Sequence, residues 1–279
     1  MEEFEDKTAV VTGAASGIGR ALARRFAEAK MRVVLADVEA APLRETEEAL
    51  LERGADVIAV ETDIRKLDSM EELHRRAIDA FGKVHVLCNN AGVSSGGVIW
   101  EQSNADWEWS LGVNLWAFVH GLRTFVPGMI AHGEEGHIVN TASIGGLFTS
   151  PGAGAYGVAK AAVVALSETL YYDLKVNGAP IGVSVLCPGF VNTRILDAAR
   201  NRPAEYGPAQ FSDPDDPAAA ALRQMLAAGM SPADAAEGVF SAIRAQQLYI
   251  LTHPEFNPLI RDRMEAILAQ RNPAMPGFG

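Results

Sequence analysis

The feature that most constrains the fold of this chain is a succession of short, continuously apolar runs separated by longer segments with helical spacing. Because consecutive rather than alternating residues are apolar, each run predicts a strand that is covered on both faces of a sheet. The predicted strands are Thr8–Thr12, Val33–Ala36, Val57–Val60, Val84–Cys88, Ile138–Thr141, Ile181–Leu186 and Leu248–Leu251.

The segments between these runs carry helical spacing, most clearly at Gly19–Ala29, Leu43–Arg53 and Met70–Phe81. Alternation of strand and helix favours right-handed crossovers between parallel strands. We therefore predict an α/β fold with a doubly wound, mostly parallel seven-stranded sheet flanked by helices on both faces. The sequence contains no internal repeat and no shift in composition, so residues 1–279 are predicted to form a single domain.

One stretch, Asn201–Ala220, differs from the rest because it is rich in proline, alanine and aspartate. Long irregular segments of this kind often cover active sites, and we predict a substrate lid around residues 192–230. A solvated insertion without function is the alternative.

Composition excludes several classes of function. The net charge of −11 and the pI near 5.0 disfavour nucleic-acid binding. No apolar run reaches the roughly 18 residues of a membrane span, and the acidic N-terminus is unlike a secretory signal. Two cysteines, Cys88 and Cys187, fit a reducing compartment, so a cytoplasmic location is predicted. The six histidines lack the spacing of metal ligands, and no metal site is predicted.

A glycine-rich turn follows the first predicted strand, with the spacing Gly-x-x-x-Gly-x-Gly at Gly13, Gly17 and Gly19. Gly13 would allow a tight turn, Gly17 a close approach to a pyrophosphate, and Gly19 close packing of helix on strand. The N-terminus of the following helix would favour the anion. An ordinary tight turn is the alternative, but the strand before it and the helix after it favour a dinucleotide site.

An acidic residue, Asp37, ends the second predicted strand. A carboxylate there can accept hydrogen bonds from both hydroxyls of an adenine ribose and would repel a 2′-phosphate, which favours NAD over NADP. Arg20 and Arg44 are the bases that could oppose this preference. Asp63, after the third strand, could hold the adenine amino group or could equally be a turn aspartate.

Tyr156 and Lys160 are four residues apart and would share one face of a helix. A phenol ordinarily loses its proton near pH 10, and a nearby ammonium group stabilises the phenolate. Lys160 together with a positive nicotinamide could lower the tyrosine pKa by about three units, which corresponds to roughly 4 kcal/mol. Tyr156 would then be an acid or base near neutral pH.

These motifs occur in the order typical of one family, and the sequence resembles the short-chain dehydrogenase/reductase family, with its Rossmann fold, from about Lys7 to Ile195. The resemblance rests on the glycine turn (TGxxxGIG), Asn89–Gly92, Asn114, Ser143, the Tyr156/Lys160 pair (YxxxK) and Pro188–Gly189. It implies reversible NAD-dependent oxidation of a secondary alcohol to a ketone.

The resemblance also implies roles for individual residues. Tyr156 would exchange a proton with the substrate oxygen, and Ser143 would polarise that oxygen. Lys160 would lower the tyrosine pKa and bind the nicotinamide ribose, and Asn114 would hold a proton-relaying water. The expected cofactor-binding residues are Gly13, Ser16, Gly17, Ile18, Gly19, Asp37, Asp63, Ile64, Asn90, Ala91, Gly92, Tyr156, Lys160, Pro188, Gly189, Val191 and Thr193.

The substrate is predicted to be a lipophilic or aromatic secondary alcohol, because the expected lining is apolar and offers no arginine for a carboxylate or phosphate. The expected substrate-binding residues are Ser143, Gly145, Leu147, Tyr156, Phe190 and Ile195, with Phe148 nearby and Phe211 or Met225 from the lid. One alternative is an NADP-dependent carbonyl reductase, which Asp37 disfavours. The other is a non-catalytic dinucleotide-binding protein, which would not need Asn114, Ser143, Tyr156 and Lys160 together. By resemblance, helices around Ala105–Ile130 and Ala155–Lys175 would form a homotetramer, with a dimer as the second option.

Overall fold

The computed structural model describes residues 1–208 and 217–275. Its sheet has seven strands, all parallel, in the order β3-β2-β1-β4-β5-β6-β7. The strands are β1 (Thr8–Thr12), β2 (Arg32–Asp37), β3 (Val57–Glu61), β4 (Val86–Asn89), β5 (Gly136–Thr141), β6 (Ile181–Cys187) and β7 (Tyr249–Leu251). The predicted fold class is confirmed, and every predicted strand lies within two residues of an observed one.

Helices connect the strands and cover the sheet. They are α1 (Gly17–Glu28), α2 (Ala40–Leu51), α3 (Leu67–Phe81), α4 (Asn104–Leu111), α5 (Ala117–His132), α6 (Gly154–Asn177), α7 (Pro217–Ala227), α8 (Pro232–Ala245) and α9 (Asn257–Leu268). In the described ranges, none of these helices combines the length and the apolar character that crossing a lipid bilayer requires.

The continuous apolar character of β1 has a direct cause in the packing. Ala9 and Val11 lie in a core with Leu22 and Phe26 of α1 on one face of the sheet. Val10 lies in a second core on the other face, which contains residues of α3 and α5. Successive side chains of a strand point to opposite faces, so a strand with helices on both sides needs apolar residues at every position.

The order of connection reverses between β1 and β4, because the chain proceeds from β1 towards β3 on one side and from β4 towards β7 on the other. In open sheets of this kind, ligands bind in the crevice outside the carboxyl ends of the strands at such a switch point. The fold therefore brings the segments after β1 and β4 together at one edge.

Two points of the chain between β6 and α8 are joined by backbone contacts outside the sheet. Val191 and Met230 form a parallel bridge, and the Met230 amide donates to the Phe190 carbonyl at 2.9 Å. The predicted lid, around residues 192–230, lies between these two points. Phe211 lies outside the described residues, and the single domain with a lid stays a prediction.

Candidate active site

A cavity of about 380 Å³ lies at the carboxyl edge of the sheet. This volume is within the range of roughly 300–1,000 Å³ that small-molecule sites occupy. The predicted site residues that line it are Gly13, Ser16, Gly17, Ile18, Asp37, Asp63, Ile64, Asn90, Ala91, Gly92, Ser143, Tyr156, Lys160, Pro188, Gly189, Phe190, Val191, Thr193 and Ile195.

The glycine turn brings backbone rather than side chains to the cavity wall. Gly13 has φ +71°, and a Cβ there would lie 2.9 Å from the Ala91 Cα. Gly17 has φ +53°, and a Cβ there would lie 3.0 Å from the Thr193 Cγ2. The Ser16 side chain does not cap α1, so the first amides of that helix remain available to an anion. These features fit the pyrophosphate of a dinucleotide.

Gly19 has a packing role and does not line the cavity. A Cβ on Gly19 would overlap the Gly13 carbonyl group. The residue therefore lets α1 pack closely on the turn after β1, as the spacing of the glycines predicts.

Asn90 ties together the ends of three neighbouring strands. Its Nδ2 donates to the Thr12 carbonyl at 3.0 Å, and its Oδ1 accepts from the Thr141 hydroxyl at 3.2 Å. The Thr12 hydroxyl in turn accepts from the amides of Asn90 and Ala91. The floor of the cavity is thus fixed by hydrogen bonds between β1, β4 and β5.

Asp37 occupies the position expected of a ribose ligand. Its Oδ2 accepts from the Ala15 amide and its Oδ1 from the Glu39 amide, each at 3.0 Å. Burial raises the pKa of Asp37, and these backbone hydrogen bonds oppose the shift. The carboxylate is therefore held in a fixed orientation at the cavity wall.

Asp63 adopts the turn arrangement that the sequence left as an alternative. Its Oδ1 accepts from the Arg65 amide at 3.2 Å and from the Arg65 Nε at 3.0 Å. Its Oδ2 accepts from the Arg65 Nη2 at 2.7 Å. Asp63 still lines the cavity, but its carboxylate is engaged with Arg65.

Asn114 lies in a π-helical turn, Gly112–Trp116, between α4 and α5. It is fully buried; its Oδ1 accepts from the Val93 amide at 3.1 Å and its Nδ2 donates to the Val93 carbonyl at 2.9 Å. A Cβ on Gly92 would lie 3.1 Å from the Asn114 Oδ1 and 3.3 Å from the Lys160 Nζ. Asn114 is therefore behind the cavity wall, close to Lys160.

Ser143 and Tyr156 meet at the cavity. Ser143 precedes a short 3₁₀ helix, Ile144–Gly146, and its Oγ accepts from the Gly145 amide at 3.1 Å. The Tyr156 phenol forms a hydrogen bond with the Ser143 side chain. Gly145, expected at the substrate, instead orients Ser143 and does not line the cavity.

Lys160 and Tyr156 both line the cavity from α6, as their spacing predicts. The Lys160 Nζ lies 5.8 Å from the centroid of the Tyr156 ring and donates to the Thr141 carbonyl at 2.8 Å. Burial lowers the pKa of Lys160 to about 7. Burial raises the pKa of Tyr156, and the hydrogen bond with Ser143 opposes the shift. The chain by itself does not produce the predicted lowering of the tyrosine pKa, because loss of water disfavours the charged forms of both groups.

Three side chains expected in the apolar lining do not line this cavity. Leu147 packs against a core cluster beside α6, and its carbonyl accepts from Arg263 at 3.1 Å. Phe148 is buried against Phe256. Met225 is exposed, and Leu222 and Leu226 of the same helix line the cavity in its place.

Other lining residues were not found from the sequence. Trp109 and Val113 contribute to the wall. They are four residues apart, a spacing that could have placed them on one helical face. Arg194 and Arg200 also line the cavity, which corrects the expectation of a lining without arginine. Arg200 forms an ion pair with Glu39, which is 161 positions away, so no local pattern could have indicated it.

The Arg20 guanidinium binds a backbone carbonyl of the glycine turn. Its Nε donates to the Ala15 carbonyl at 3.0 Å, and its Nη2 donates to the same oxygen. This side chain, which the sequence left open as a phosphate ligand, is thereby committed to the backbone of the glycine turn.

Comparison with known proteins gives consistent matches. The family model for short chain dehydrogenases matches residues 7–204. A CLA biosynthesis dehydrogenase/reductase from Lactiplantibacillus plantarum is 36% identical, over 98% of this chain and 97% of that protein. A C alpha-dehydrogenase from Sphingobium sp. is 36% identical, over 96% of this chain and 87% of that protein. Among solved structures, a short chain dehydrogenase/reductase from Burkholderia phymatum in complex with NAD is 46% identical, with a TM-score of 0.96 and 99% of each chain covered.

Proposed function

The chain belongs to the short chain dehydrogenase family and is an oxidoreductase, and from that premise we propose that it catalyses reversible, NAD-dependent oxidation of a lipophilic or aromatic secondary alcohol to the ketone. The fold alone supports many activities, so the proposal depends on the site. The observation that carries it is that Asp37, the glycine turn and the Ser143–Tyr156–Lys160 group line one continuous cavity.

In the proposed reaction the alcohol oxygen lies against Ser143 and Tyr156. The Ser143 Oγ would hydrogen-bond the oxygen, and the Tyr156 phenolate would take the hydroxyl proton. NAD, when bound, would accept the hydride that leaves the carbinol carbon. The products are the ketone, the reduced cofactor and a neutral phenol, whose proton must leave before the next turnover.

This mechanism requires that the pKa of Tyr156 be lowered in the complete site. Burial disfavours the phenolate, so a positive charge has to compensate. Lys160, with its pKa near 7, supplies part of that charge when protonated. The positive ring of an oxidised nicotinamide would supply the rest and would make proton removal efficient with the cofactor in place.

NAD is favoured over NADP by three features. The Asp37 carboxylate faces the cavity in a fixed orientation. Arg20 is committed to the Ala15 carbonyl, and Arg200 is paired with Glu39. The similar Burkholderia phymatum protein was solved in complex with NAD.

A lipophilic substrate is supported by the apolar side chains that line the cavity, among them Val93, Trp109, Phe190, Leu222 and Leu226. The predicted homotetramer, or a dimer, is supported by exposed apolar side chains on and beside α6, namely Trp116, Val158, Tyr172 and Val176. Light scattering on the purified protein tests the assembly. The cytoplasmic location stays a prediction from the sequence.

The proposal is tested by incubating purified protein with NAD or NADP and a panel of aromatic and alicyclic secondary alcohols, while the absorbance of reduced nicotinamide is followed. We expect reduction of NAD with at least one lipophilic alcohol. Preferential use of NADP would favour the carbonyl reductase alternative. NAD binding without turnover of any alcohol or ketone would favour the non-catalytic alternative.

A further inference from the structure

His253, which follows β7, holds the backbone turn that follows β6. Its imidazole is buried. The Gly189 amide donates to the His253 Nδ1 at 3.2 Å, and the His253 Nε2 donates to the Phe190 carbonyl at 3.1 Å. One ring therefore satisfies the backbone groups of two consecutive residues in the cavity wall.

This arrangement requires a single state of the imidazole. Nδ1 faces an N–H donor and must be an acceptor, whereas Nε2 faces a carbonyl and must carry the proton. The Thr252 Oγ1, 2.6 Å from Nδ1, also lies 3.4 Å from the Gly189 amide. The hydrogen bonds around the ring thus favour an acceptor at Nδ1 and a proton on Nε2.

Packing leaves the turn little room to move. A Cβ on Gly189 would lie 2.7 Å from the His253 Cγ and 2.8 Å from the Phe256 ring. The Phe256 ring also packs against Phe190 and Phe148, with centroids 5.9 Å and 6.1 Å apart. The turn is therefore held by contacts as well as by hydrogen bonds.

The same turn is connected to the catalytic serine. The Pro188 carbonyl accepts from the Ile144 amide at 2.9 Å, and Ile144 follows Ser143 directly. Arg263 of α9 donates to the Leu147 carbonyl at the other end of that loop. The segment from His253 to Arg263 thus braces both loops that border the Tyr156 end of the cavity.

We propose that His253 is a positioning residue, which fixes the Pro188–Phe190 turn and, through Ile144, the loop of Ser143. The inference rests on the proposed function, in which Ser143 contacts the alcohol, and on the expectation from the sequence that Pro188 and Gly189 bind the cofactor. By fixing the position of the turn relative to the Ser143 loop, His253 aligns the carbinol carbon with the ring that accepts the hydride. A histidine that only filled the core would affect stability without affecting this alignment.

Two substitutions distinguish the contributions of the two hydrogen bonds of His253, because each keeps one bond and removes the other. His253→Asn keeps an acceptor near the δ position for the Gly189 amide and loses the donor to Phe190. His253→Gln keeps a donor near the ε position for the Phe190 carbonyl and loses the acceptor. His74→Asn, at a half-buried histidine of α3 that packs against Phe125, is the matched control.

The measurements are the NAD dissociation constant by calorimetry, the single-turnover rate of cofactor reduction, and hydrogen exchange of the peptide containing Gly189 and Phe190. We expect both His253 variants to lose about tenfold or more in single-turnover rate, since small misplacements of reacting groups are costly. We also expect faster exchange at the turn. The control should match wild type in all three.

Folded His253 variants with the single-turnover rate and exchange of wild type would overturn the proposal. If both variants fail to fold, ¹⁵N chemical shifts of the His253 ring in wild type provide a further test. A proton on Nδ1 would contradict the proposed hydrogen bonds of His253 to Gly189 and Phe190, whereas a proton on Nε2 alone would support them. Failure of wild type to bind NAD would instead count against the proposed function, and the exchange and tautomer measurements would still decide whether His253 holds the turn.

Discussion

The Arg200 Nη2 lies 2.6 Å from the Glu39 Oε2, and the Arg200 Nε lies 3.0 Å from the Glu39 Oε1. This two-point ion pair joins the segment after β6 to the start of α2, on the side of the cavity that Asp37 occupies. Hydrogen bonds from the Arg200 guanidinium hold the pKa of Glu39 below its usual range. The pair therefore closes the cavity wall on the side of Asp37.

Loss of this pair should weaken cofactor binding. We expect Glu39→Gln to raise the NAD dissociation constant about fivefold, because a partly buried charged pair contributes on the order of 1 kcal/mol. Calorimetry measures the constant directly. Glu72→Gln, which removes an exposed pair with Arg75 on α3, is the control. Equal affinity in wild type and Glu39→Gln would show that the pair does not hold the wall.

Removal of the phenol should stop the chemistry and spare binding. Tyr156→Phe is expected to lower kcat by about 10²–10⁴-fold, which is the usual contribution of a general acid or base. The NAD dissociation constant should stay within about twofold, because the lost hydroxyl faces the substrate. Tyr172→Phe, at an exposed position of the same helix, is the control. Substantial turnover by Tyr156→Phe would refute the assigned role.

Cofactor choice should depend on Asp37. The double variant Asp37→Ala/Val38→Arg removes the carboxylate and adds a base at an exposed neighbouring position. The ratio of kcat/KM for NADP to that for NAD should rise at least about tenfold, because a charge repulsion is replaced by a charge-assisted hydrogen bond. Val38→Arg alone, which keeps the repulsion, should change the ratio much less. An unchanged ratio in the double variant would count against the ribose contact.

The buried Lys160 should make stability depend on pH. Its pKa of about 7 in the folded chain is below its ordinary value of 10.5. Between these values the unfolded chain binds more protons, so the free energy of unfolding rises with pH. The loss of stability that comes from burying Lys160 is complete below about pH 7 and is absent above about pH 10.5.

Compared with Lys160→Met, wild type should gain up to about 1.4 kcal/mol of stability per pH unit across that window. Urea unfolding of the cofactor-free proteins at about pH 6.5, 8 and 9.5 measures the difference. Lys175→Met, at an exposed site of the same helix, is the control. A difference that is constant with pH would mean that the lysine pKa is not lowered.

A second ion pair anchors the segment after β6 to α4. The Arg202 Nη1 lies 2.9 Å from the Asp106 Oδ1, and the two side chains are only 4% and 6% exposed. Arg202→Met should lower the free energy of unfolding by about 3 kcal/mol, because it leaves the buried Asp106 charge without its positive partner. Adding Asp106→Asn should restore part of the loss.

Chemical denaturation measures this effect. Arg194→Met, which breaks an exposed pair with Asp197, should change stability by less than about 1 kcal/mol. If Arg202→Met were as stable as wild type, the buried pair would not be what anchors the segment.

The sequence by itself determined the architecture, because the information is local. Continuous apolar runs can be covered on both faces only in a sheet between two layers of helices, and so β1 and β5 could be located within two residues. The glycine turn and the Tyr156/Lys160 pair were also predictable. Their geometry depends on short spacings along one turn and one helix.

The tertiary structure decided what depends on contacts between distant segments. Leu147 and Trp109 are both apolar, and only the packing of the loops shows that Trp109 lines the cavity and Leu147 does not. Glu39 and Arg200 are 161 positions apart, and their pairing has no local signature. The direction of the Tyr156 pKa shift also required the structure, because it depends on how much water the surrounding protein removes.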